Sequence, residues 1–162
     1  MNLSSLQVLD LQFEQNRLGY DQEPDLQFLA SSRKTEIAFH IPDKTAFVMA
    51  HKDRLMEVVY NFVDNALKYG RGTKVIKLNA IVDKKEIRVE VVDQGNGIEA
   101  EGLKNIFLKF SQLDDPLQRR QEGIGLGLYI CRLIIENYHG KIGVDSVPKK
   151  GSTFYFTLPL KK

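Results

Sequence analysis

Cysteine is nearly absent from this chain. Cys131 stands alone among 162 residues, which excludes a disulfide framework and a cysteine-built zinc site and fits a reducing compartment. A surplus of charge is missing too: 23 basic and 21 acidic side chains leave a formal charge of +2. The two signs are interspersed, so there is no basic stripe of the kind that nucleic acid demands, and any anionic ligand must be held locally. No apolar run approaches the roughly 18 residues of a membrane span, and no leader pattern opens the sequence. These absences lead us to expect a soluble, cytoplasmic domain with no nucleic-acid partner and no direct membrane contact. With 43% hydrophobic residues, the chain is long enough for one domain with a real core and short for two.

What is present is organised around residues 54–70, RLMEVVYNFVDNALKYG. At helical spacing Leu55, Val58, Val59, Phe62, Val63, Ala66 and Leu67 share a broad apolar face, and Glu57, Asn61, Asn65 and Lys68 form a narrow polar stripe beside it. Solubilising stripes are usually Lys and Glu. Two carboxamides one turn apart, followed by a cation, suit a metal-bound polyphosphate: an amide oxygen can ligate Mg²⁺ and Lys68 can neutralise phosphate oxygens. An amphipathic helix with incidental asparagines remains the competing reading of this stretch.

Taken in order, residues 1–20 carry a mediocre helical pattern through Leu6, Leu9 and Phe13, and a second short helix is expected from Asp25 to about Ser32. Two extended segments, Glu36–Ile41 and Thr45–Met49, flank Pro42 and Asp43 as a plausible hairpin. Asp53 is placed to cap the long helix, and Gly70 and Gly72 to stop it through a left-handed backbone. Strands Val75–Val82 and Glu86–Val92 follow, with Ile87, Val89 and Val91 on the inner face. Two more residues at the same period aim the Asp93 carboxylate inward, which is expensive unless something donates to it. Gly95 and Gly97 in the next turn would let a flat ligand lie against the backbone, and an exocyclic amine such as adenine N6 would suit Asp93. A plain turn in which the Asp bonds its own backbone is the competing reading.

Glu99–Phe107 reads as a short helix, and 109–122 as a polar loop long enough to be a lid. Gly123, Gly125 and Gly127 then open a helix running to about Tyr138, presenting backbone N–H groups at its positive end. The pattern is neither a P-loop nor a dinucleotide fingerprint. Two last strands, Lys141–Ser146 and Ser152–Leu160, turn at Pro148–Gly151. Ser152 shares the inner face of Phe154, Phe156 and Leu158, which brings its hydroxyl toward Asp93.

In this order the motifs resemble the catalytic, ATP-binding domain of sensor histidine kinases, in the superfamily shared with gyrase B and the Hsp90 chaperones. NFVDNALKYG (61–70) resembles the asparagine box, DQGNGI (93–98) and GIGLGL (123–128) the two glycine boxes, IFLKF (106–110) the phenylalanine box, and GSTFYFTLP (151–159) the closing strand. The resemblance covers residues 35 to 160. It implies an α+β fold, a two-layer α/β sandwich in which about three helices cover one face of a mixed sheet beside an ATP lid, with ATP and Mg²⁺ as cofactors.

Carried over by position, Asn65 would ligate Mg²⁺, Asn61 would orient the reacting phosphate or a water, and Lys68 would touch phosphate oxygens. Tyr69 would lie by the nucleotide. Asp93 would accept from adenine N6, with Gly95, Gly97 and Ile98 lining the base and Ser152 beside them. Gly123, Gly125, Leu126, Gly127 and Leu128 would hold the phosphates. Where many members carry a phosphate-contacting Arg, this chain has Gln112, and Lys109, Arg119 or Arg120 stand nearby.

None of His40, His51 and His139 has the setting of the family's phosphoacceptor. The resemblance therefore implies phosphoryl transfer to a histidine on a separate dimerisation domain, and onward to a response regulator, with this domain monomeric in isolation. Residues 1–34 would hold the tail of that preceding helical domain plus the start of the ATP-binding domain, which then runs over 35–162. A nucleotide-gated interaction module without turnover and a serine kinase of the anti-sigma type are the alternatives.

Overall fold

The computed structural model describes residues 8–10, 26–42, 46–70, 72–111 and 125–161. Along the chain run β1 (Val8–Asp10), α1 (Leu26–Ser32), β2 (Glu36–His40), β3 (Phe47–Met49), α2 (Lys52–Tyr69), β4 (Val75–Val82), β5 (Glu86–Asp93), α3 (Ala100–Leu103), α4 (Gly127–Asn137), β6 (Lys141–Val147) and β7 (Gly151–Pro159). Five strands form one mixed sheet in the order β2-β4-β5-β7-β6, parallel only between β2 and β4.

Alternation along each central strand sends one set of side chains to a common core. Ile76, Leu78 and Ala80 of β4, Ile87, Val89 and Val91 of β5, and Phe154, Phe156 and Leu158 of β7 are buried against Leu55, Val58, Val59, Phe62, Val63 and Ala66 of α2. Helices α1, α2 and α4 lie over that face, which gives the expected two-layer sandwich. The opposite face is polar. There Arg88 bridges Glu90 at 2.6 Å and Asp145 at 3.1 Å, with its guanidinium over the Tyr155 ring. Phe62 is the pin between the layers: fully buried, its ring lies 5.5 Å from Phe154 and 6.3 Å from Phe156, tilted to both.

Several local expectations are corrected. Glu36–Ile41 and Thr45–Met49 do not form a hairpin. β2 pairs in parallel with β4, and β3 pairs antiparallel with β1. A parallel pair needs a long crossover, and α2 supplies it between β2 and β4. Residues 8–10, inside the stretch expected to be helical, are the strand that meets β3, where pairing gives their backbone groups partners. The helix expected over 99–107 shortens to the four residues of α3.

α2 begins at Lys52, so Asp53 lies in its first turn, where it favours the helix dipole, and not at the cap. His51 holds the cap position and donates its backbone N–H to the Tyr138 hydroxyl at 3.3 Å. At the other end Gly70 is not left-handed, with φ −79° and ψ 52°. Glycine is required there for space, since a Cβ would strike the Ala66 carbonyl, and the left-handed residue is Gly72 at φ 84°.

Phe62→Ala empties the centre of the core. We expect a loss of about 3–5 kcal/mol in unfolding free energy, read from the denaturation midpoint at unchanged slope.

Candidate functional site

The site grows from the C-terminal end of β5. Asp93 is only 6% exposed. Burial pushes its carboxyl above the usual carboxylate range, and backbone donation from Gly95 and Ser152 partly offsets that. The Gly95 N–H reaches Oδ1 at 2.8 Å, and Ser152 is the register partner of Asp93 across β7. The inward aim expected from strand period is observed. The Ser152 hydroxyl, however, is not spent on Asp93: it pairs with the Ser146 hydroxyl at 3.0 Å, and only its backbone serves the carboxylate.

The loop after Asp93 is fixed almost group by group. The Gln94 N–H donates to Thr73 Oγ1 at 3.2 Å and the Ile98 N–H to Ser146 Oγ at 2.9 Å. Asn96 accepts from the Lys149 N–H at 2.6 Å. The two glycines are also needed for packing and backbone conformation. A Cβ on Gly95 would collide with the Cα of Gly70, and one on Gly97, at φ 66°, with the Val147 carbonyl. The loop is thus wedged between the end of α2 and the β6–β7 turn, with Ile98 buried beneath it. Sequence reasoning missed Thr73, Ser146 and Gly70. Ser146 was within reach, because Ile142, Val144 and Ser146 alternate along β6 as Val91 and Asp93 do along β5. Thr73 lies in a loop with no periodic signal.

The polar stripe of α2 lies beside this loop. Asn61, Asn65, Lys68 and Tyr69 are all half-buried. Asn61 donates its amide to the Glu57 carbonyl at 2.9 Å, which leaves Oδ1 facing the start of α4: a Cβ on Gly127 would stand 2.7 Å from it. Gly127 is therefore a cradle that any side chain would fill. The Asn65 carboxamide has no hydrogen-bond partner among the described residues. Lys68 pairs with Asp64 at 2.6 Å, a contact the sequence reading did not anticipate.

α4 begins at Gly127, later than the expected start of the glycine run, with Leu126 at its cap position and Gly125 left-handed at φ 70°. Leu128 packs on the core. Gly123, Gln112, Arg119 and Arg120 lie outside the described residues. The expected lid begins and ends at a neck, where the Phe110 N–H donates to the Gly125 carbonyl at 3.1 Å. Lys109 stands 5.0 Å from the Tyr129 ring centroid. Cys131 is buried on the inner side of α4, its thiol pushed up to about 12 by burial and by the neighbouring Glu57. At that value it is neither nucleophile nor ligand.

The structure therefore brings Asn61 and Gly127 together, and joins Asp93 to Gly95 and Ser152. A desolvated carboxylate, an unpaired carboxamide and the N-terminus of α4 suit, in that order, an exocyclic amine, a hard cation and phosphate oxygens.

The family described as histidine kinase-, DNA gyrase B-, and HSP90-like ATPase matches over residues 50–162. The adaptive-response sensory kinase SasA of Thermosynechococcus vestitus is 36% identical over 156 residues, covering 96% of this chain, which spans 40% of that protein. Full-length ShkA, solved in complex with AMPPNP, superposes with a TM-score of 0.73 at 27% identity, over 85% of this chain and 28% of its own. The catalytic domain of histidine kinase ThkA, in a nucleotide-free form, gives 0.68 at 28% identity over 81% of this chain and 84% of its own. Fold, motif order and relatives agree: the chain belongs to the histidine kinase-, DNA gyrase B- and HSP90-like ATPase family, on its sensor-histidine-kinase branch.

Proposed function

We propose that this chain is the ATP-binding catalytic domain of a two-component sensor histidine kinase. The observation that carries the reading is Asp93, a carboxylate kept out of water at the end of an inner strand, with two backbone donors and acceptor capacity to spare. Adenine N6 is the donor it suits. Gly95, Gly97, Ile98 and Ser152 shape the base site, and Tyr69 flanks the nucleotide. Lys68, the glycine run of Gly123, Gly125 and Leu126, and the start of α4 at Gly127 and Leu128 take the phosphates.

Asn65 is the residue we assign to Mg²⁺. Its carboxamide oxygen is a hard donor without a competing partner among the described residues, and magnesium commonly takes one or two protein oxygens with the rest from phosphate and water. Once bound, the ion would neutralise phosphate charge. The chain's own part is positioning and charge balance. The γ-phosphorus bond to the bridging oxygen breaks as a bond to an imidazole nitrogen forms, and ADP leaves. The imidazole is itself the nucleophile, so no strong protein base is required. Asn61 fits that chemistry: its carboxamide orients, but it does not take a proton from water as a carboxylate would, which favours transfer over hydrolysis.

The acceptor we infer is a histidine on a separate helical dimerisation domain, which passes the group to a response regulator. His40 on β2, His51 at the α2 cap and His139 after α4 all have structural places. Residues 1–34 would join the two domains, with Leu26 and Ala30 of α1 already buried in the core.

Incubation with γ-labelled ATP and a panel of histidine-bearing dimerisation domains should give acid-labile phosphate on at least one of them. Ordered ATP binding with no transfer to any would favour the interaction-module reading. Asp93→Asn should weaken ATP binding roughly tenfold to a hundredfold, the size of one hydrogen bond to a charged group, as read by calorimetry.

The same variant has a stability signature. Because the folded carboxyl titrates above its unfolded value of 3.8, the native state holds a proton that the unfolded chain has released. Stability is then full below that value and falls as pH rises through the folded one. Asp93→Asn should remove this slope and be at least as stable as wild type at neutral pH in a denaturation series. Asn65→Ala should abolish the dependence of ATP affinity on added Mg²⁺; an unchanged metal dependence in the same titrations removes that ligand.

A further inference from the structure

Two carboxylates flank Asn61 on α2, one turn to each side, and each holds a cation. Glu57 pairs with Arg54 at 2.9 Å, out at the surface. Asp64 pairs with Lys68 at 2.6 Å, with both side chains 29% exposed. Asp64 stands four residues ahead of Lys68, the favourable order on a helix, whereas Arg54 precedes Glu57 in the reverse order, so helix stability alone would account for the Asp64–Lys68 pair. The partners differ in consequence. Arg54 has no place in the nucleotide site, whereas Lys68 is the cation assigned there to phosphate oxygens. Anything that needs Lys68 must compete with a carboxylate already in contact with it.

That competition is unequal between forms of the nucleotide. A free triphosphate is densely anionic and relies heavily on Lys68. Complexation with a divalent ion removes part of that charge before the nucleotide arrives, and with it part of the need for Lys68. We propose that Asp64 is a positioning residue that sets specificity: by engaging Lys68 it makes the site discriminate in favour of metal-complexed nucleoside triphosphate over the bare polyanion. The inference rests on the reading of Lys68 as a phosphate contact. It adds a residue that touches neither phosphate nor metal and acts through its neighbour.

The test is equilibrium binding of ATP by calorimetry at fixed ionic strength, once in EDTA and once in excess Mg²⁺. Asp64→Asn should tighten binding of metal-free ATP roughly two- to fivefold, the range set by a partly exposed ion pair, and leave Mg-ATP nearly unchanged. The ratio of the two dissociation constants therefore falls, which mere loosening of α2 would not cause. In a Lys68→Met background the same Asp64→Asn change should leave that ratio unmoved. An unaltered ratio in Asp64→Asn, with wild-type thermal stability and wild-type Mg-ATP binding, overturns this proposal and leaves the nucleotide site standing. An equal change with and without Lys68 overturns the route through Lys68. Failure of the unsubstituted protein to bind ATP in either buffer overturns the site itself.

Discussion

The arrangement depends on keeping one carboxylate dry. An Asp side chain at the end of an inner strand is unfavourable by default, since desolvation penalises its charged form. Asp93 is tolerated because β7 brings the Ser152 backbone opposite it and the following turn folds back to offer the Gly95 N–H. That turn can fold back only if nothing occupies the space at residue 95, which makes glycine there a condition of the carboxylate's position. Ser146 extends the same logic one strand further. It accepts from Ile98, lies 2.9 Å from the Gly151 carbonyl and pairs with Ser152, so the polar groups around Asp93 share a single small network. A network of this kind rigidifies when every member is satisfied.

Helix α2 links this network to the rest of the site through two glycine contacts. At its C-terminal end the Gly70 backbone lies against Gly95, and in its middle Asn61 lies against Gly127. The first is closer than any side chain permits, and at the second a side chain would push the Asn61 carboxamide aside. The proposed purine and phosphate ends of the site are therefore spaced by one 18-residue helix, whose apolar face is anchored by Phe62 against Phe154 and Phe156. A displacement of α2 would move the carboxamides relative to Asp93, which couples packing in the core to geometry in the cleft. It also explains why the polar stripe is narrow: each residue given to the cleft is one withdrawn from the core face.

Much of this was legible in the sequence wherever one periodicity ran long enough to count. The burial of Leu55, Val58, Val59, Phe62, Val63 and Ala66 follows from the 3.6 repeat, and the inward aim of Asp93 from the alternation that buries Ile87, Val89 and Val91. What escaped was set by contacts between segments far apart in the chain. β2 looked like half of a hairpin because Pro42 and Asp43 signal a turn, yet its partner is β4, beyond a whole helix. At Gly95 and Gly97 the fold adds a packing reason that the sequence does not show, because sequence shows a missing side chain and not what fills its place. Thr73 meets Gln94 across 21 residues with no pattern to announce it.

The junction of Phe110 with Gly125 shows the same economy at the other end of the proposed site. Phe110 and Gly125 are 15 positions apart, yet a backbone hydrogen bond joins them, and both adopt positive φ, 60° and 70°. For glycine that conformation is free; for phenylalanine it is strained, and the ring is left 68% exposed. The strain is offset by what the junction achieves. Closing a loop costs entropy that grows only slowly with its length, so once the two ends are joined the intervening sequence can vary widely without moving the start of α4. Gly127, held against Asn61, stays at the start of α4. The junction fixes where α4 begins, and the anion-binding geometry we propose there is left to the backbone.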